Sequence, residues 1–98
     1  MQGYVYVIVN EGYPDWCKVG FTKRAPAQRL AEYQTYSPFT YKIYHVVHFD
    51  NAHEAERRIH GELRAFVQKN KEWFKLPANI ASNIIDGVKE DIDSEGEI

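Results

Sequence analysis

Ninety-eight residues make one domain and not two, and a 44% hydrophobic content excludes a chain that stays disordered. Cys17 is the sole cysteine, which excludes an internal disulfide and a four-cysteine zinc site. The net charge of −2 hides a split: residues 1–85 carry eleven Lys/Arg against eight Asp/Glu, a net of +3, and residues 86–98 carry six acids against Lys89, a net of −5. A mildly basic body permits nucleic-acid binding without arguing for it. The chain opens directly into MQGYVYVIVN, with no basic segment leading an apolar run, and no stretch reaches the length of a membrane span. It reads as a cytoplasmic protein with no membrane role. One small core stabilises a chain of this size only modestly, so a homodimer is a further expectation.

In chain order, Tyr4 to Val9 is dense in β-branched and aromatic residues and predicts a strand. It stops at Asn10-Glu11-Gly12-Tyr13-Pro14-Asp15, whose residue types turns require, and a second strand follows from Trp16 to Phe21. The short spacing predicts an antiparallel hairpin. From Pro26 the period changes: Ala27, Leu30, Ala31 and Gln34 recur at helical spacing, predicting a helix over 26–35. Tyr41 to Phe49 reads as a third strand, with Tyr41, Ile43, His45, Val47 and Phe49 on one face. Asp50 or Asn51 can cap a second helix whose apolar stripe is Ala52, Ala55, Ile59, Leu63 and Phe66. A short extended stretch at 72–76 precedes a last helix opened by Pro77, with Ile80, Ile84, Ile85 and Val88 as its apolar residues. The order predicts an α+β domain over 1–88, a small and mainly antiparallel three-stranded sheet flanked by helices, with an acidic C-terminal tail over 89–98.

Four short patterns fall on these elements in order: "GYVYVI" on the first strand, "CKVG" on the second, "RL" in the first helix and "EAERRIH" in the second. Together they resemble the signature of the GIY-YIG nuclease superfamily over about residues 3–76. Tyr4-Val5-Tyr6 lies where that family has Gly-Ile-Tyr, and Lys18-Val19-Gly20 where it has Tyr-Ile-Gly. Arg29 matches the arginine of the first helix, and Glu56 the glutamate of the helix after the third strand. Tyr4 replaces the first glycine and Lys18 the second tyrosine. With the terminal "EWF", these changes look like a phage and microbial subfamily whose second triplet reads Lys-Ile-Gly. The family's late asparagine has no secure match; Glu72 or Asn70 lies near its place.

The resemblance implies a metal-dependent endonuclease acting on DNA. Cutting a phosphodiester needs an activated water, a cation on the phosphate and charge relief at the leaving oxygen. Glu56 would hold one Mg2+ or Mn2+ ion, with waters and phosphate oxygens completing its shell. Tyr6 would orient or deprotonate the attacking water, with the Lys18 ammonium favouring the phenolate, and Lys18 could equally contact the phosphate. Arg29 would grip the scissile phosphate through its planar donor fork. Tyr33, one turn further on the same face, would add a phosphate or water contact. His60 could orient Glu56 or simply pack.

Each of these residues has an ordinary use when taken alone: Tyr6 as core, Arg29 and Glu56 as solvated helix faces, Lys18 as an edge-strand guard. The joint pattern is what favours a site. His45, His48, His53 and His60 with Cys17 show no zinc-finger spacing, and Cys17 suits a small buried side chain better than a nucleophile. Tyr33, Tyr36, Tyr41 and Tyr44 could stack on bases, with packing between helix and sheet as the commoner use. Lys69, Lys71 and Lys75 could touch phosphates or keep a loop soluble. Two functions stay open: the endonuclease, and a catalytically weak or inactive module of the same fold that binds nucleic acid or regulates a partner. The second is motivated by the altered triplets and by the absence of a separate targeting segment. The acidic tail could restrain activity by competing with DNA for a basic face.

Overall fold

Period-two alternation along the first strand sets the layers of the domain. The structure is a computed structural model that describes residues 1–65 and 68–96, without the side chains of Lys69 and Asn70. Strand β1 (Gly3–Asn10) lies between two antiparallel neighbours, β2 (Cys17–Thr22) and β3 (Tyr41–Phe49). Val5 and Val7 point to one face, where they join Cys17, Val19 and Phe49 in a buried core. Helices α2 (Ala52–Arg64) and α3 (Ala78–Glu95) close that core with Ala55, Ile59, Leu63, Ile85 and Val88. Tyr6 and Ile8 point to the opposite face, which helix α1 (Pro26–Gln34) covers.

The sheet has five strands, not the three expected, in the order β3-β1-β2-β5-β4. Of the extra pair, β5 (Trp73–Phe74) falls in the short extended stretch read from sequence at 72–76, while β4 (Lys69–Asn70) lies before it and was not expected. Phe74 pairs with Cys17 and Trp73 with Lys18, so β5 covers the first half of the β2 edge. Lys71 and Glu72 form the turn between β4 and β5, and Lys71 takes φ 59°, a left-handed conformation uncommon outside glycine. The Glu72 carbonyl then accepts from the Val19 amide at 3.0 Å.

Strand β3 does not keep one face. Val7 pairs with His45 and Ile8 with Ile43, leaving Tyr44 as an extra residue, a β-bulge. The bulge reverses the alternation: His45, Val47 and Phe49 stay on the core face, while Tyr41 and Ile43 turn to the face of Tyr6 and Ile8. Helix α1 also differs in its sidedness. Ala27 and Ala31 are exposed, no residue of α1 is fully buried, and the side turned inward carries Arg29, Leu30, Tyr33 and Gln34.

Helix α2 starts at Asn51, whose side-chain oxygen accepts from the Glu54 amide at 3.2 Å. Its stripe is as expected from Ala52 to Leu63; Phe66 lies outside the described residues. Helix α3 continues to Glu95, well past the point where the acidic tail was expected to begin, because its acids find partners and Ile92 packs on the core. Glu95 takes two bonds from Arg58 at 2.9 and 3.1 Å, Asp93 pairs with Lys89 at 3.4 Å, and Asp86 meets His45 at 2.7 Å. These three acids are paired on the core-face side of the sheet, opposite the face that α1 covers. Among the described residues no helix is long and apolar enough to cross a membrane.

The Asn51 cap makes a direct prediction. Asn51→Ala should cost about 1 kcal/mol, read as a fall in Tm of roughly 4–8 °C. An unchanged melt would mean that the first turn of α2 is satisfied by water alone.

Candidate active site

A buried phenol organises the α1 side of the sheet. Tyr6 is fully buried, and its hydroxyl lies 2.7 Å from the Tyr33 hydroxyl and donates to Glu72 Oε1 at 2.9 Å. The Tyr33 hydroxyl also approaches both Glu72 oxygens, at 3.2 and 3.4 Å. Two hydroxyl protons thus serve three short contacts, so the phenols and the carboxylate share them. Arg29 adds a bond from Nε to the Tyr6 oxygen at 3.4 Å, and its NH2 group lies 3.7 Å from Glu72 Oε2.

Local sequence explains why these groups meet. Tyr6 pairs across the strands with Gly20, and a Cβ built on Gly20 would lie 2.6 Å from the Tyr6 hydroxyl and 2.1 Å from Glu72 Oε1. Only glycine leaves the room in which the two groups touch. Arg29 and Tyr33 are four apart on α1 and therefore share a face. Glu72 arrives on the two-residue β4–β5 turn. Lys18 shares the Tyr6 face of β2, with Nζ 4.0 Å from the Tyr33 ring centroid and 5.0 Å from that of Trp73. The Arg29 guanidinium lies 5.0 Å from the same Tyr33 ring. Two cations thus lie within 5.0 Å of the Tyr33 ring.

The electrostatics decide which groups carry charge. Burial pushes the Tyr6 pKa well above the ordinary phenol value, the Tyr33 hydroxyl adds to this, Arg29 opposes it and negative Glu72 reinforces it. The phenolate expected for Tyr6 is therefore disfavoured, and the Lys18 ammonium that was to stabilise it rests on Tyr33 instead. Tyr33 is also raised, chiefly by burial. Lys18 is lowered by burial, with Glu72 resisting and Arg29 and Lys71 assisting. Arg29 holds its charge all the more firmly for its bond to Tyr6.

Of the residues marked from sequence, Tyr6, Lys18, Arg29 and Tyr33 come together. Glu56 lies on α2, with Oε1 4.0 Å from His60 Nδ1. His60 is buried, donates from Nε2 to the Val19 carbonyl at 2.7 Å and packs edge-on against Phe74. Through His60, Glu56 is linked to Val19, the β2 residue whose amide donates to the Glu72 main-chain carbonyl. Sequence reasoning gave Glu72 no role beyond a place near the late asparagine, and gave Gly20 none beyond its triplet. Asn70 lies outside the described side chains. Among the described residues no group of three or more His, Cys, Asp or Glu stands as a metal cluster.

The profile of the T5orf172 domain matches residues 3–89, a span that holds every residue named above. The chain belongs to the T5orf172 domain family. That domain is phage-associated and related to nuclease folds of the GIY-YIG and HNH-like kinds, although no GIY-YIG profile itself matches. No curated protein and no solved structure is detectably similar.

The T5orf172 domain carries a second buried acid. Burial pushes the Cys17 thiol from 9.0 up to about 11. Because the folded state resists ionisation, the stability this proton protects is complete below about pH 9 and lost as pH rises through about 11. Tyr6 acts in the same direction at higher pH. The Tm should therefore fall between pH 9 and 11, and fall less steeply in Cys17→Ala, as scanning calorimetry across that range would record; parallel slopes would show that Cys17 does not contribute.

Proposed function

We propose that this T5orf172 domain is a metal-dependent endonuclease of the GIY-YIG type that hydrolyses DNA phosphodiester bonds. The observation that carries the reading is the convergence of Tyr6, Lys18, Arg29 and Tyr33, drawn from β1, β2 and α1, around one anion-accepting point now taken by the Glu72 carboxylate. A point that collects two hydroxyl donors and a guanidinium suits a phosphate oxygen equally well. Arg29 grips the scissile phosphate. Neutral Tyr6 and Tyr33 orient phosphate oxygens or the attacking water by donating to them, a role that their raised pKa values favour over that of a base. Lys18, eased toward its neutral form by burial, is the better placed group to take a proton or to steady the phosphate.

The donor chemistry fits a hard cation. Glu56 and Glu72 offer carboxylate oxygens as donors, which suits Mg2+ or Mn2+ better than zinc. Glu56 would hold the ion, with waters filling most of its shell. When bound, such an ion relieves negative charge on the phosphate and acidifies a bound water. A homodimer would set two such sites on opposite strands.

The second reading is a nucleic-acid-binding module with little or no turnover. It is favoured by the way Glu72 already occupies the donors of Arg29, Tyr6 and Tyr33. Supercoiled plasmid incubated with Mg2+ or Mn2+ separates the two. Wild-type protein should nick it, Glu56→Ala should not, and Arg29→Lys should be slower by about a hundredfold or more. Nicking by Glu56→Ala at the wild-type rate would reject the metal assignment. Binding without nicking by the wild type would favour the module.

A further inference from the structure

Beside the cluster lies a pocket of about 370 Å³ whose walls are Tyr13, Trp16, Tyr41 and Trp73. Every wall is aromatic. Its volume is at the small end of the range for ligand sites, roughly 300–1,000 Å³, which suits a single planar ring system rather than a stack of them. The rings are held by one another: Tyr13 meets Trp73 edge-on at 5.6 Å and Tyr41 lies 6.3 Å from Trp73, tilted by 33°. Tyr13 is braced from behind by Phe39 at 6.3 Å. Yet Tyr13 keeps half of its surface exposed, and Trp16, Tyr41 and Trp73 are only half-buried. A plain core would not leave four large rings open to water on one concave surface.

Position and charge identify the occupant. Tyr41 touches Tyr33 at 5.7 Å, and Trp73 follows Glu72 in the chain, so the pocket adjoins the anion point. Lys18 stands on the boundary, its ammonium over both the Tyr33 and the Trp73 rings. Aromatic walls next to a guanidinium and an ammonium match a nucleotide: a flat base beside a negative phosphate. A base inside a duplex is stacked on both sides and cannot enter a pocket; an unpaired one can. Among the described residues, none that lines the pocket is acidic.

We propose that the Tyr13–Trp16–Tyr41–Trp73 pocket binds one unpaired nucleobase of a DNA strand whose neighbouring phosphate is held by Arg29 and Lys18. The inference rests on the nucleic-acid reading above and narrows it: the substrate is single-stranded DNA, or DNA with an unpaired base at the cutting point.

The test is a binding titration of the full chain in EDTA, which stops metal-dependent cutting. The probes are a short single-stranded DNA carrying 2-aminopurine and the same labelled strand in a fully paired duplex. The single strand should bind more tightly than the duplex, and the 2-aminopurine fluorescence should be quenched as the base stacks. Tyr13→Ala and Trp73→Leu should each weaken single-strand binding roughly ten- to a hundredfold and remove the quench, with duplex binding unchanged. Tyr44→Ala, an exposed tyrosine outside the pocket, should change neither. Circular dichroism confirms that each variant folds, and Tyr13, half-exposed in a loop, is the safer of the two. Equal binding of both probes, untouched by either pocket variant, would overturn the pocket and leave the nuclease reading standing. No binding of either probe by the wild type would overturn both.

Discussion

A phenol hydroxyl buried at the centre of a sheet must find partners or cost the fold about 1–3 kcal/mol, and Tyr6 imposes that demand here. The strand that carries it is paired on both sides, so backbone groups are already spoken for and the partners must come from elsewhere. Tyr33 and Arg29 come from a helix that buries no residue completely, and Glu72 from a two-residue turn. Gly20 keeps the space open. In each case the structural need and the chemical opportunity coincide: groups recruited to satisfy one hydroxyl make a cluster of donors around a single anionic point.

Charge is distributed between the two faces of the sheet in the same spirit. Arg29 and Lys18 lie on the α1 side, while the acids of α3 are spent on Arg58, Lys89 and His45 on the other. A net charge near zero therefore coexists with a locally cationic aromatic surface. Two acids share the α1 side: Glu32, paired with Arg24 and Arg29, and Glu72, met by Arg29 and two hydroxyls.

Much of this was legible in the residues. The hairpin, the three long strands and the helix starts follow from β-branched runs, turn chemistry and Pro26, Asn51 and Pro77, all local signals. Tyr6, Lys18, Arg29 and Tyr33 converge because strand alternation and the four-residue helix step are also local. What the sequence did not disclose depends on neighbours distant along the chain. The sidedness of α1 is set by Tyr6 and not by its own alanines. The bulge at Tyr44 has no composition signal, since Tyr-Lys-Ile-Tyr-His-Val alternates well enough as a plain strand. Trp73 and Phe74 read as a short extended stretch, but which edge they join is set by β2. Glu72 gains its place only through that pairing.

The bulge in β3 also limits how this domain can change over generations. With Tyr44 as the extra residue, Tyr41 walls the aromatic pocket while Phe49 fills the core of the same strand. Losing or gaining one residue between them would exchange the faces and send Tyr41 away from the pocket or Phe49 out of the core. Length variation in β3 is therefore tolerable only in steps of two. Chains that share this site should conserve the count of residues in that strand more strictly than the residues themselves.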